Sequence, residues 1–195
     1  LPLQIWPIRS GSHALDGLYS YDAILRLHDV HVKKEGAEIL RDPGDPKAYR
    51  EFGKLGKAFT EEEAPTVVLI DEIDKADVDF PNDLLTVLED RVFDIPETGE
   101  KDIAAKFAPI VIITSNKEKG NLPKPFLRRC IYKYVHFPRD EKTLIDIINL
   151  HAKESGEKRD KALVKKAVTL FQHLRDDKGL QKLPGTSELL DWITA

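Results

Sequence analysis

A short apolar run that ends in two acids constrains this chain more than any other part of its sequence. Residues 67–70 are Val-Val-Leu-Ile, with Pro65 shortly before them and Asp71 and Glu72 directly after. Such a run, rich in β-branched residues, is typical of a strand that is buried on both faces of a parallel sheet. Because open α/β sheets bind ligands at the carboxyl ends of their strands, the two acids are predicted to lie at a ligand-binding edge.

The two acids are of the kind that phosphoryl transfer requires. One acid at such a strand end holds Mg²⁺, and a second group orients or deprotonates the attacking water. Asp71 followed by Glu72 supplies both groups. The same pattern is equally typical of a strand that ends in solvent beside helix-capping acids, so other parts of the chain must decide between the two interpretations.

Composition and charge narrow the class of protein. The 195 residues are enough for one substantial core, or for one domain with a small second one. The net charge of −4 gives no indication of a nucleic-acid or anionic-membrane surface. The single cysteine, Cys130, cannot form an intrachain disulfide, which fits a reducing, cytoplasmic setting. No apolar stretch approaches the length of a membrane span, so no membrane partner is expected.

The periodicity of apolar residues predicts an α/β fold followed by helices. It predicts strands at residues 3–8, 67–70, 110–113 and 134–137, and a hairpin from residue 92 to residue 107. It predicts helices at residues 22–30, 48–63 and 76–89, and helical segments from residue 141 onward. The expected domains are therefore an α/β core at residues 1–138 and a small helical subdomain at residues 139–195.

Several blocks of the sequence, taken in order, resemble the MoxR group of AAA+ ATPases. The blocks are DEIDKADVDFPNDLL at 71–85, FDIPETG at 93–99, ITSN at 113–116, LPKPFLRRC at 122–130 and PGTSELLDW at 184–192. Three short pieces of the amino-terminal segment are similar to that group too: Trp6-Pro7, Asp16-Gly-Leu-Tyr19 and Tyr21-Asp22-Ala23. The resemblance covers nearly the whole chain, and it implies a P-loop-type parallel sheet sandwich with a C-terminal helical lid.

The resemblance also implies a role for five site residues. Asp71 matches the acid that holds Mg²⁺, usually through water, and Glu72 matches the acid that polarises the attacking water. Asn116 matches the sensor that positions this water near the γ-phosphate, although a turn Asn at a strand end is the alternative. Arg128 and Arg129 match the place of an arginine finger that reaches the next subunit, or else they form a solvated helix end.

The family pattern is broken at two points. The phosphate-binding pattern G-x-x-x-x-G-K-[ST] occurs nowhere, and the nearest stretch, residues 51–58, has Glu51 and Ala58 at two of its required positions. In the family this loop comes just before a segment like residues 3–8, so it is expected upstream of Leu1. At the late sensor of the lid, where many relatives have Arg, the aligned residue is Glu188. Lys182 is the nearest cation: it either replaces that Arg as a point charge at the nucleotide or is an ordinary solvated surface lysine.

The implied function is ATP binding and hydrolysis with Mg²⁺ by a homo-oligomeric ring, expected to be hexameric. The resemblance also implies a chaperone-like role on a protein client. One alternative is a pseudo-ATPase scaffold, which a missing or degenerate phosphate loop would favour. The other is a motor subunit of a restriction-type nucleic-acid machine, which the negative net charge does not favour.

Overall fold

The structure is a computed structural model that describes residues 1–36, 38, 40–116, 122–156, 159–177, 179–180 and 183–194. The chain forms two compact units, Leu1–Tyr132 and Lys133–Ala195. The division comes before the predicted boundary between residues 138 and 139. Each unit has its own cluster of buried apolar residues.

The described residues form seven strands, all of them in the first unit. They are β1 (Leu3–Pro7), β2 (Tyr19–Tyr21), β3 (Arg50–Phe52), β4 (Val67–Asp71), β5 (Val92–Ile95), β6 (Glu100–Ala104) and β7 (Ile110–Ile113). Three of these strands make a parallel sheet in the order β1-β4-β7, with Ile5 beside Leu69 and Leu69 beside Ile112. The strands predicted near residues 3–8, 67–70 and 110–113 are therefore confirmed, and so is the α/β class.

Two antiparallel pairs accompany the parallel sheet. Strand β2 pairs with β3, and β5 pairs with β6 across a turn at residues 96–99. The second pair confirms the predicted hairpin. Glu100 ties this hairpin to β3, because the Arg50 guanidinium donates to both oxygens of its carboxylate, at 2.9 and 3.1 Å.

Seven α-helices lie in the described part of the chain. They are α1 (Ala23–Lys34), α2 (Lys54–Phe59), α3 (Phe80–Asp90), α4 (Lys124–Leu127), α5 (Glu141–Glu154), α6 (Lys161–Asp176) and α7 (Thr186–Thr194). Helices α1, α5 and α6 each begin after an aspartate whose carboxylate accepts a backbone N–H of the first turn. This capping satisfies one of the amide groups that a helix start leaves unpaired. None of the described helices is long and apolar enough to cross a membrane.

The core of the first unit lies on one face of the parallel sheet. Val68 and Ile70 of β4 are 0% exposed and belong to the same buried cluster as Trp6, Phe80 and Leu84. The expectation that β4 is buried on both faces is only half met, because Val67 and Leu69 are half-buried. On that opposite face the neighbouring side chains in β1 and β7 are about half exposed, because the described part of the chain leaves this face uncovered. These side chains are Leu3, Ile5, Ile110 and Ile112.

Two predicted elements are wrong. A single helix at residues 48–63 does not form, because residues 50–52 pair with β2 as β3 and only Lys54–Phe59 form an α-helix. A strand at residues 134–137 does not form either, since residues 131–139 contain neither helix nor strand. A strand needs a neighbouring strand to satisfy its backbone groups, and none of the described strands pairs with this segment. The helix predicted at residue 76 begins at Phe80, after a short 3-10 turn at Ile73–Lys75.

The second unit is a packed group of three helices. Its central cluster of buried side chains comes from all three helices and consists of Leu144, Ile148, Val164, Val168, Phe171 and Leu189. The helical periodicity expected after residue 141 is thus confirmed.

Candidate functional site

The two acids lie at the carboxyl edge of the parallel sheet. Asp71 is the last residue of β4, and Glu72 follows with φ 57° and ψ 53°, in the left-handed region. This backbone conformation is uncommon for a residue with a side chain. The chain therefore turns sharply after Asp71, directly into the 3-10 turn that precedes α3.

The end of β7 is hydrogen-bonded to this turn through Thr114. Ile70 and Ile113 are register partners, and the Thr114 N–H donates to the Ile70 carbonyl at 2.9 Å, so the pairing continues one residue past the strand. The Thr114 hydroxyl donates to Asp71 Oδ1 at 2.6 Å and accepts the Glu72 N–H at 2.8 Å. The Thr114 carbonyl accepts the Ile73 N–H at 3.0 Å. The two strand ends thus form one connected group.

The predicted sensor residue lies in the same group. The Asn116 N–H donates to Asp74 Oδ1 at 2.7 Å. This hydrogen bond holds the backbone that follows β7 against the turn that follows β4. The structure therefore brings the Asn116 segment beside Asp71 and Glu72.

The Glu72 side chain is paired within its own turn. Its Oε2 atom forms an ion pair with the Lys75 ammonium, three residues along the chain. The hydrogen bond to Glu72 is the main cause that raises the pKa of Lys75. Both side chains are partly exposed, and exposed ion pairs are weak, so the carboxylate remains available to other partners. Lys75 was not singled out from the sequence, although a Glu and a Lys three residues apart signal such a pair.

The two candidate arginines differ in their contacts. They follow α4, and both are exposed. Arg129 forms an ion pair through Nε with the Glu89 carboxylate, and its Nη1 donates to the Pro125 carbonyl at 3.3 Å. Arg128 makes no side-chain hydrogen bond or ion pair with the residues that the structure describes. Glu89 is in the last turn of α3, about 14 Å along the helix axis from Phe80.

The remaining predicted contacts of the lid are only partly described. Lys182 lies outside the described residues. Glu188 lies in the first turn of α7, where its carboxylate accepts the Gly185 N–H at 2.9 Å. A carboxylate at this position favours the helix start, because the helix dipole is positive there.

The stretch that partly matches a phosphate loop has another structural use. A Cβ atom on Gly56 would lie 1.9 Å from the Leu18 carbonyl oxygen, and one on Gly53 would lie 2.3 Å from the Asp16 carbonyl oxygen. Both glycines therefore let α2 approach the backbone of residues 16–18. The Lys57 ammonium lies 3.6 Å from Glu51, as an exposed ion pair.

Asp71 and Glu72 offer carboxylate oxygens of the kind that Mg²⁺ prefers as ligands. No group of three or more His, Cys, Asp or Glu residues in the described ranges is arranged to hold a metal by itself. Mg²⁺ takes oxygen ligands, keeps several waters and is commonly held by one or two carboxylates together with substrate phosphates. The Asp71 carboxylate, oriented by Thr114 at a strand end, fits that kind of binding.

The comparison with family models agrees with this geometry. A model described as AAA domain (Cdc48 subfamily) matches residues 20–169, which is 150 of the 195 residues. The matched range contains the two acids, the sensor segment and both arginines. No curated protein matches the chain.

Proposed function

Because the chain belongs to the AAA domain family (Cdc48 subfamily), we propose that it carries the acid edge of a site that binds ATP with Mg²⁺ and hydrolyses it. This proposal rests on one observation: Thr114, the first residue after β7, forms hydrogen bonds with both Asp71 and Glu72. Two acids at the end of one strand, with polar residues at the end of the next, are the groups that phosphoryl transfer requires at this edge.

Each acid has its own task in the proposed site. Asp71 holds Mg²⁺, which neutralises charge on the phosphate oxygens when it is bound. Glu72 orients the attacking water and accepts its proton, and Asn116 helps to fix the position of that water. Glu72 exchanges its Lys75 partner for the water when it acts, which the exposed setting of that ion pair permits.

The phosphate-binding loop of the proposed site comes from outside these 195 residues. The pattern G-x-x-x-x-G-K-[ST] is absent from them, and Gly53 and Gly56 serve backbone packing. Hydrolysis is therefore proposed for the polypeptide that joins this chain to such a loop. If that polypeptide has no working loop, the missing pattern favours the second candidate function, a scaffold that binds a partner without turnover.

The proposed ATPase works as a homo-oligomeric ring, with Arg128 as the residue that reaches the next subunit. Arg129 is held by Glu89 of its own chain, whereas the described residues offer Arg128 no ionic partner. A fixed cation stabilises the negative charge of the transferring phosphoryl group. The likeness of residues 71–85, 113–116 and 122–130 to MoxR proteins supports a six-membered ring with a chaperone-like role on a protein client.

Substitution of Glu72 tests the catalytic part of the proposal. Glu72→Gln should keep ATP affinity and lower kcat by at least about 100-fold, which is the lower range for loss of a general base. The measurements are ATP binding by calorimetry and phosphate release at saturating ATP and Mg²⁺. Glu63→Gln, at an exposed glutamate ahead of β4, is the matched control and should hydrolyse ATP normally. Equal phosphate release by Glu72→Gln and wild type would remove Glu72 from the mechanism.

Mixing two inactive variants tests the ring. Arg128→Ala should also abolish hydrolysis without loss of ATP binding. A mixture of Arg128→Ala with Glu72→Gln should regain activity, because some interfaces then combine an intact acid with an intact arginine from different chains. No recovery in rings shown by mass to contain both variants would contradict a shared site.

A further inference from the structure

The Thr114 side chain makes two hydrogen bonds that fix its direction. A carboxylate has no proton to donate, so the hydroxyl proton points to Asp71 Oδ1, at 2.6 Å. The oxygen lone pairs then face the Glu72 N–H, at 2.8 Å. One hydroxyl thus contacts the side chain of the first acid and the backbone of the second.

The Glu72 backbone needs such support. Its φ of 57° is one of three positive values among the described residues other than glycine. Conformations of this kind persist where the surroundings hold them, and they concentrate at functional sites. Here two consecutive amides are held by one residue, since the Glu72 N–H bonds to the Thr114 hydroxyl and the Ile73 N–H bonds to the Thr114 carbonyl.

The neighbouring hydroxyl does not share this role. Ser115 is exposed and makes no side-chain hydrogen bond with the described residues. The contacts therefore depend on the hydroxyl at position 114, and Ser115 provides a matched comparison one residue away.

We propose that Thr114 is a positioning residue, which fixes the direction in which the Glu72 side chain leaves the backbone and the orientation of the Asp71 carboxylate. The inference rests on the proposed ATPase function, because it concerns the same two acids. Thr114 itself is assigned no contact with the attacking water, so its loss acts through Glu72 and Asp71.

This role predicts a separation of catalysis from nucleotide binding. A small misplacement of a catalytic group lowers the rate steeply, whereas nucleotide affinity depends largely on contacts elsewhere. Thr114→Val keeps the shape of the side chain but can neither donate nor accept. Thr114→Ser keeps the hydroxyl and loses only a methyl group.

The experiment compares Thr114→Val, Thr114→Ser and the control Ser115→Ala in the complete polypeptide. In Thr114→Val, kcat should fall at least about 10-fold with ATP affinity unchanged within about 2-fold. Hydrogen exchange at the Glu72 and Ile73 amides should also become at least about 10-fold faster, because local opening exposes them. Thr114→Ser and Ser115→Ala should match wild type in both measurements. Thr114→Ala is the substitute if the valine variant does not fold.

The two measurements separate the possible failures. Unchanged amide exchange in Thr114→Val would show that the hydroxyl does not hold the turn, and the inference would be wrong. Faster exchange with unchanged kcat would assign Thr114 a purely structural role and would also overturn it. A wild type that binds ATP without hydrolysing it would refute the proposed function, while the exchange measurement would still decide whether Thr114 holds the turn.

Discussion

The substitution Gly56→Ala tests whether the glycine-rich start of α2 serves packing or phosphate binding. Gly56 lies inside α2, where its Cα faces the backbone of Leu18. An added Cβ would lie 1.9 Å from the Leu18 carbonyl oxygen and 2.9 Å from the carbonyl carbon. That oxygen cannot move freely, because it accepts the Gly53 N–H at 2.9 Å.

Two effects of opposite sign set the expected loss of stability. Alanine is favoured over glycine inside a helix by about 1 kcal/mol. Overpacking costs about 1–3 kcal/mol and occasionally more. The Gly56 contact should reach the upper end, since 1.9 Å is far below the 3.0 Å that real Cβ atoms respect and the obstacle is backbone. The net loss is then about 2 kcal/mol, which lowers Tm by about 4–8 °C for a chain of this size.

The assay is thermal unfolding followed by circular dichroism. Gly11→Ala is the matched control, because nothing lies within 4 Å of its added Cβ, and its Tm should equal that of wild type. Lys57→Ala should leave ATP affinity unchanged, whereas the lysine of a true phosphate loop is essential for it. A Gly56→Ala variant as stable as wild type would refute the packing interpretation, and a Lys57→Ala variant unable to bind ATP would support the phosphate loop.

Three further outcomes are expected. Arg129→Ala should keep kcat within about 3-fold of wild type, because Arg129 pairs with Glu89 in its own chain and exposed ion pairs contribute little free energy. A loss of kcat as large as that of Arg128→Ala would contradict this assignment. Burial alone would raise the pKa of Glu100, but the hydroxyl and the cations around it outweigh burial and lower the pKa below its ordinary 4.5. The stability that this carboxylate contributes is therefore present above pH 4.5 and is lost as the pH falls through the lowered pKa. The urea midpoints of wild type and Glu100→Gln should differ at pH 7 and converge at low pH. A difference between the two midpoints that grows on acidification would show that the pKa shift has the opposite sign. Excess EDTA should abolish phosphate release and leave Tm unchanged, because Thr114 orients Asp71 without a metal; a fall in Tm would mean that the fold needs the ion.

Local sequence was enough to predict the central strands and the position of the acids. The apolar runs of β4 and β7 have the length and the β-branched residues of buried strands, whatever their neighbours are. Asp71 and Glu72 are joined directly to the apolar run of β4, so predicting that strand also predicts that the two acids lie at its end. The hairpin of β5 and β6 was predictable for the same reason, since its turn lies between adjacent segments.

Pairing between distant segments decided what local sequence could not. The local sequence of residues 50–52 predicts part of a helix, but in the fold they pair with β2, which lies about 30 residues earlier in the chain. Residues 134–137 have the composition of a strand, yet no described strand pairs with them.

The details of the site also depended on tertiary contacts. The proposed choice of Arg128 over Arg129 rests on the ion pair of Arg129 with Glu89 of α3, which the sequence of two adjacent arginines does not predict. The role of Thr114 rests on its contacts with Asp71 and Glu72, 43 and 42 residues away in sequence. The composition of a segment sets its preferred backbone, but the register between strands sets which side chains meet, and register exists only once the sheet has formed.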